Sequence, residues 1–172
     1  MVLRYLVILR PAVFVHLKHM QSPDSLNAVA EFHRTFHHPI LETPQIPTEN
    51  RCQLRVALLA EELKELEVAI LEKDIVQVAD ALCDLQYVLS GAVLEFGLGE
   101  KFKTLFDEVQ RSNLSKACLT VEEAEATVAH YEAKGVACHY VESDDKYLVY
   151  RSADNKTLKN INYSPADLEN KL

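Results

Sequence analysis

The sequence predicts an all-α fold, an antiparallel helical bundle that carries a small α+β appendage at its C-terminal end. Three observations lead there. Residues 49–72 and 75–96 are long helix-compatible stretches, and the two-residue link Lys73-Asp74 makes them antiparallel neighbours. The chain has only four glycines and six prolines in 172 residues, and its 48% hydrophobic content is enough for a packed core. Past residue 118 the helical period gives way to short alternating segments divided by Asp- and Asn-containing turns.

The first nineteen residues stand apart. Met1 to Leu9 is apolar, but Arg10-Pro11 interrupts the run and no small-residue cleavage pattern follows. A membrane-spanning helix needs about 20 apolar residues, more than this segment offers. Every acidic residue lies after position 19, whereas Arg4, Arg10 and Lys18 lie before it. Residues 1–19 therefore read as an extension, with the working protein beginning near Met20. From there Asp24 or Ser25 caps a helix through about Phe36, and Pro39, Pro44 and Pro47 mark an extended connection. Thr48 caps the helix from Glu49 to Glu72. The next helix runs from Ile75 to about Phe96, where Gly97 and Gly99 end it. A fourth covers Lys101 to about Arg111 and closes a helical domain spanning 20–118.

Residues 119–172 form the appendage. Thr120 and Glu123 make a capping box for a helix ending near Gly135. Segments 137–141, 146–151 and 157–161 read as strands separated by turns at Asp144-Asp145 and Asp154-Asn155. Ser164-Pro165 opens a final helical turn, with proline at the first helical position.

The chemistry concentrates in the two long helices. Glu61, Glu62 and Glu65 spread over about 100° of one face, together with Leu54, Leu58 and Ala69. Asp80 and Asp84 are four apart, so they stack one turn above the other, and they are the only charged residues between Ile75 and Leu94. A solvated helix face is the ordinary explanation for clustered glutamates. Here Lys64 and Glu67 already supply such a face, and the acids sit between leucines. The second helix is apolar nearly all round, which predicts burial. Five acids converging in an apolar setting repel one another and lose hydration unless a cation joins them. Oxygen ligands alone select a hard ion, Mg²⁺ or Mn²⁺. A di-iron carboxylate site would need Glu-x-x-His on the facing helices, and neither long helix contains histidine. His33 and His37 are four apart on the first helix but lack a third ligand, so packing or surface roles suit them better.

The segment from Val109 to Lys116 gathers two cations, an amide and two hydroxyls in a predicted loop, groups suited to phosphate oxygens. A polar helix terminus with its usual cations is the competing explanation. The formal net charge of −8 argues against nonspecific binding to nucleic acid or to an anionic membrane. The four cysteines show neither CxxC nor zinc spacing and read as reduced thiols, consistent with a cytoplasmic protein.

These residues resemble the all-α nucleoside triphosphate pyrophosphohydrolases, a group that includes MazG-like enzymes, dimeric dUTPases and phosphoribosyl-ATP pyrophosphohydrolases. The likeness rests on Glu61-Glu62-x-x-Glu65 and on an acidic pair ending in Asp84-Leu85-x-Tyr87. It extends to Arg-Ser-Asn-x-Ser-Lys at Arg111 to Lys116 and to Glu31-Phe32-His33, covering about Ser25 to Lys116. The family's second motif usually places Glu where this chain has Ala81, and Asp80 lies one position earlier. The resemblance implies an antiparallel bundle of the all-α NTP pyrophosphatase type. It also implies Mg²⁺-dependent hydrolysis of an NTP or dNTP to monophosphate and pyrophosphate by a homodimer or higher homo-oligomer, in the housecleaning of nucleotide pools. Glu62, Glu65 and Asp84 are the expected metal ligands, with Asp80 next, and Glu61 is a further ligand or the base that orients water. Arg111, Asn113 and Lys116 are expected to hold phosphates, and His33 and Phe36 to line the base pocket. Two readings from other classes remain, a non-catalytic Mg²⁺-nucleotide sensor and a helical interaction module with surface acids.

Overall fold

The computed structural model describes residues 20–172; the expected extension at 1–19 lies outside them. Five helices follow in order: α1 (Ser25–Thr35), α2 (Glu49–Glu72), α3 (Ile75–Glu95), α4 (Phe102–Leu114) and α5 (Val121–Glu132). One antiparallel hairpin, β1 (Cys138–Ser143) and β2 (Lys146–Arg151), completes the regular structure with a 3₁₀ turn at Glu169–Lys171. The all-α prediction with a small appendage holds.

The α2–α3 hairpin turns where the sequence places it. Lys73 takes a left-handed conformation (φ 59°) that ends α2. The Asp74 side chain then accepts hydrogen bonds from the backbone N–H groups of Val76 and Gln77, starting α3 with no further linker. Helix α3 is central, packed on both α2 and α1. After α3, Gly97 adopts φ +69°, and a Cβ there would lie 1.9 Å from the Thr43 carbonyl oxygen. Glycine is required for that approach. It lets the 39–47 connection lie along the end of α3, tied by Leu41 N–H to the Leu94 carbonyl (3.0 Å) and Gln45 N–H to the Phe96 carbonyl (3.1 Å).

Two apolar clusters form. Val29, Ala30 and Leu94, with Ile40 against them, join α1 to the C-terminal half of α3. Cys118, Ala124, Val149 and Leu158 form a second one in the appendage. All four cysteines are thiols. Burial raises the pKa of Cys118, as it does for an inert structural thiol. Among the described residues no helix is long and apolar enough to cross a membrane.

Four expectations change. The predicted burial of α3 fails in the single chain: Ile75 is 76% exposed, Val76 70% and Leu82 52%. The eleven-residue α1 is too short to cover more than the C-terminal half of α3, where Ser90, Gly91, Val93, Leu94 and Glu95 are buried. Helix α4 continues to Leu114, so Arg111, Ser112 and Asn113 form its last turn, where the sequence suggested a loop. Residues 157–161 are not a strand; Thr157 makes a single bridge to Tyr150. Ser164-Pro165 does not open a helix, because its polar groups bind the end of α4 instead.

Candidate functional site: an acidic groove and a separate cationic cluster

Glu65 and Asp80 line one open groove of about 370 Å³ between α2 and α3. Its floor includes Ala69 and Ala81, both buried, so the small side chain at 81 leaves room where Glu would have stood. Glu61, Glu65 and Asp80 are exposed, while Glu62 and Asp84 are partly covered. The predicted desolvation of all five acids is therefore corrected: in the single chain water reaches them. Their mutual influence survives. The Glu62 pKa is raised, first by partial burial and then by the charges of Asp84, Glu65, Glu61 and Asp80. The hairpin thus brings the predicted acids of both helices into one field. Lys64 and Glu67 form an exposed ion pair (2.7 Å), the solvated face expected of them.

Among the described residues no three His, Cys, Asp or Glu side chains stand close enough to enclose a metal ion as placed. The donor chemistry still suits a hard cation. Glu65, Glu72 and Asp80 line the open groove without an ion-pair partner among the described residues, the Lys64 ammonium that also borders it is paired with Glu67, and neither sulfur nor imidazole competes there.

His33 is elsewhere. It is 2% exposed and lies in a polar cluster that the sequence did not reveal. Glu95, 1% exposed, accepts hydrogen bonds from Arg51 (Nε to Oε2, 3.0 Å; Nη2 to Oε1) and from Arg55. Arg55 also donates to His33 Nε2 (3.1 Å), and His33 Nδ1 meets the Pro39 carbonyl oxygen (2.8 Å). A guanidinium only donates and a carbonyl only accepts, so His33 is the neutral tautomer protonated on Nδ1. His33, expected with Phe36 at a base pocket, is buried here, and Phe36 is exposed. Gly91 makes room for the cluster, since a Cβ there would lie 2.6 Å from Arg55 Nη1 and 3.1 Å from His33 Nε2.

Burial depresses the His33 pKa most, the Pro39 bond opposes the shift, and the Arg55 charge adds to the depression. Burial alone would raise Glu95, but the bonds from Arg51 and Arg55 outweigh it and hold the carboxyl below its ordinary value. Both groups bind protons less readily folded than unfolded, so stability falls as pH falls. For His33 the loss begins as pH drops through the ordinary value of 6.5; Glu95 adds to it at more acid pH. Chemical denaturation at about pH 7 and about pH 5 is expected to show the drop. His33→Gln, which offers one donor and one acceptor, should shrink it. An equal slope in that variant would assign the loss to other groups.

The predicted phosphate-binding segment is pinned by the appendage. Arg111 is bidentate to Glu108 (2.7 and 2.8 Å) and also donates to Ser164 Oγ and the Pro165 carbonyl. With the Asp167 N–H, Arg111 holds the Glu108 carboxyl down to about 2. Lys116 donates to Asn113 Oδ1 (2.8 Å). Helix α4 makes no extensive packing against α2 or α3. Two residues missed by the sequence reading, Lys159 and Tyr163, join this cluster. Residues 157–165 read as strand and helix start, which hid them.

Residues 29–113 match the family model described as phosphoribosyl-ATP pyrophosphohydrolase. The chain is also 34% identical over 100 residues to an uncharacterized protein of Acanthamoeba polyphaga mimivirus. That match covers 56% of this chain and 40% of the viral protein, so it spans less than half of that relative.

Proposed function

We propose that this chain, whose residues 29–113 match the phosphoribosyl-ATP pyrophosphohydrolase family model, is a MazG-like all-α NTP pyrophosphatase, and specifically a Mg²⁺-dependent nucleoside triphosphate pyrophosphohydrolase. The observation that carries the reading is the groove that Glu65 of α2 and Asp80 of α3 line together, with Glu61, Glu62 and Asp84 on the same helical hairpin. These acids would hold Mg²⁺, or Mn²⁺, with Glu62, Glu65 and Asp84 first and Asp80 replacing the missing Glu at 81. When bound, the cation neutralises triphosphate charge and favours in-line attack by water. Glu61 serves as a further ligand or orients that water. Asn113 and Lys116 contact phosphates, and Arg111 holds their segment in place through Glu108, Ser164 and Pro165.

A panel of common and modified nucleotides, assayed for pyrophosphate with Mg²⁺ and with EDTA, tests the reading. Release from at least one nucleoside triphosphate, abolished by EDTA, is the expected result. Nucleotide binding without release would favour the sensor reading; no response to nucleotide or Mg²⁺ would favour an interaction module.

The working form is proposed to be a homo-oligomer, most simply a dimer. Val56, Leu63, Ile75, Val76 and Leu82 leave apolar area on α2 and α3 open to water in the single chain, and burial of such area drives association. Light scattering at micromolar concentration should report at least twice the chain mass, and a monomer alone would sink this expectation.

A further inference from the structure

We propose that Lys159 and Tyr163 of the C-terminal segment, together with Lys116, form an oxyanion site that takes the phosphate chain of the nucleotide; its assignment to substrate rests on the pyrophosphohydrolase reading. The site is built by the return of the chain onto α4. The Tyr163 hydroxyl lies 2.9 Å from Oγ of buried Ser112, fixing the ring against the last turn of the helix. The Lys159 ammonium sits over that ring, 4.2 Å from its centroid. Ser164 N–H donates to Ser115 Oγ (3.0 Å), which locks the next residue as well.

The cations at this end of α4 are not helix caps. The carbonyls of Arg111, Asn113 and Leu114 accept from the backbone N–H groups of Ser115, Lys116 and Ala117, and the Ser112 carbonyl accepts from Ser115 Oγ. Arg111 is paired with Glu108. Among the described residues neither Lys116 nor Lys159 pairs with a carboxylate. In a chain of net charge −8, Lys159 over the Tyr163 ring, and Lys116 on the segment that Ser115 ties to Ser164, put two ammonium groups without an ion-pair partner at this end of α4, a local positive field. The phenol registers it: its pKa is lowered first by the Ser112 hydrogen bond, then by the charges of Lys159, Lys116 and Arg111. Ammonium groups and a fixed hydroxyl suit the several oxygens of a pyrophosphate or triphosphate.

Calorimetric titration of the full chain with inorganic pyrophosphate in EDTA isolates this site from the carboxylate groove. Wild type should bind. Lys159→Ala should weaken binding about tenfold, the usual loss for one charge-assisted bond, and Tyr163→Phe should weaken it less. Lys159→Arg should restore affinity, which an effect on folding alone would not produce. With an active nucleotide, Lys159→Ala should raise KM more than it lowers kcat. Unchanged pyrophosphate affinity in both Lys159→Ala and Tyr163→Phe would overturn the site even if wild type releases pyrophosphate normally. Lys159-dependent binding in a protein that cleaves no nucleotide would support the oxyanion site and refute the pyrophosphohydrolase reading.

Discussion

Glu65→Gln is expected to lose nearly all pyrophosphate release while keeping its fold. Glu65 is exposed at the edge of the α2–α3 groove, so the substitution creates no cavity and breaks no ion pair among the described residues. What it removes is a charge available to the divalent ion. Loss of a few kcal/mol of transition-state stabilisation corresponds to a fall in kcat/KM of about 100-fold or more. Circular dichroism should be unchanged. The metal-free variant should also be slightly more stable, because Glu65 repels Glu62 and its neighbours. Water screens exposed charges, so that gain should be only a few tenths of a kcal/mol. Full turnover by Glu65→Gln would rule out a mechanism centred on these acids.

Glu95→Ala is expected to produce the largest loss of stability. It leaves two guanidinium groups, one of them buried, with no carboxylate to receive their bonds. Removing one partner of a buried ion pair costs about 3–5 kcal/mol, because the remaining charge stays desolvated. The consequence should spread along the cluster, since Arg55 also holds His33, which anchors the 39–47 connection through Pro39. Urea denaturation of wild type, Glu95→Ala and Glu95→Gln should give that order of stability with Gln between the other two. A loss below about 1 kcal/mol in the alanine variant would mean that the arginines regain water at little cost.

The helical hairpin and its acids were legible in the sequence for local reasons. Lys73-Asp74 is short, Asp74 is a good N-cap, and helical spacing puts Glu61, Glu62 and Glu65 near one face and Asp80 above Asp84. These are properties of chain geometry within a few turns. The Glu95 cluster was not legible, because its hydrogen bonds join residues 22 to 44 positions apart and no spacing rule links Arg51 and Arg55 to Glu95 or His33. The family resemblance puts His33 at a base pocket, whereas its residue spacing alone allows a packing role; the packing of α1 on α3 makes it internal.

Read alone, the chain already held the fold class, the α2–α3 turn, the capping of α5 through Thr120 and Glu123, and the placing of Glu65 and Asp80 on facing helices of one hairpin. Each of these follows from periodicity, caps and turn residues read within one or two elements. The tertiary structure decided how much of α3 is covered and that Arg111 is held by Glu108 and the appendage. It also decided that Lys159 lies over the Tyr163 ring and that Tyr163 meets Ser112 at the end of α4. Such facts depend on the length of α1 against α3 and on where a distant segment returns. Both are set by the packing of whole elements, for which no local pattern in the chain supplies a signal.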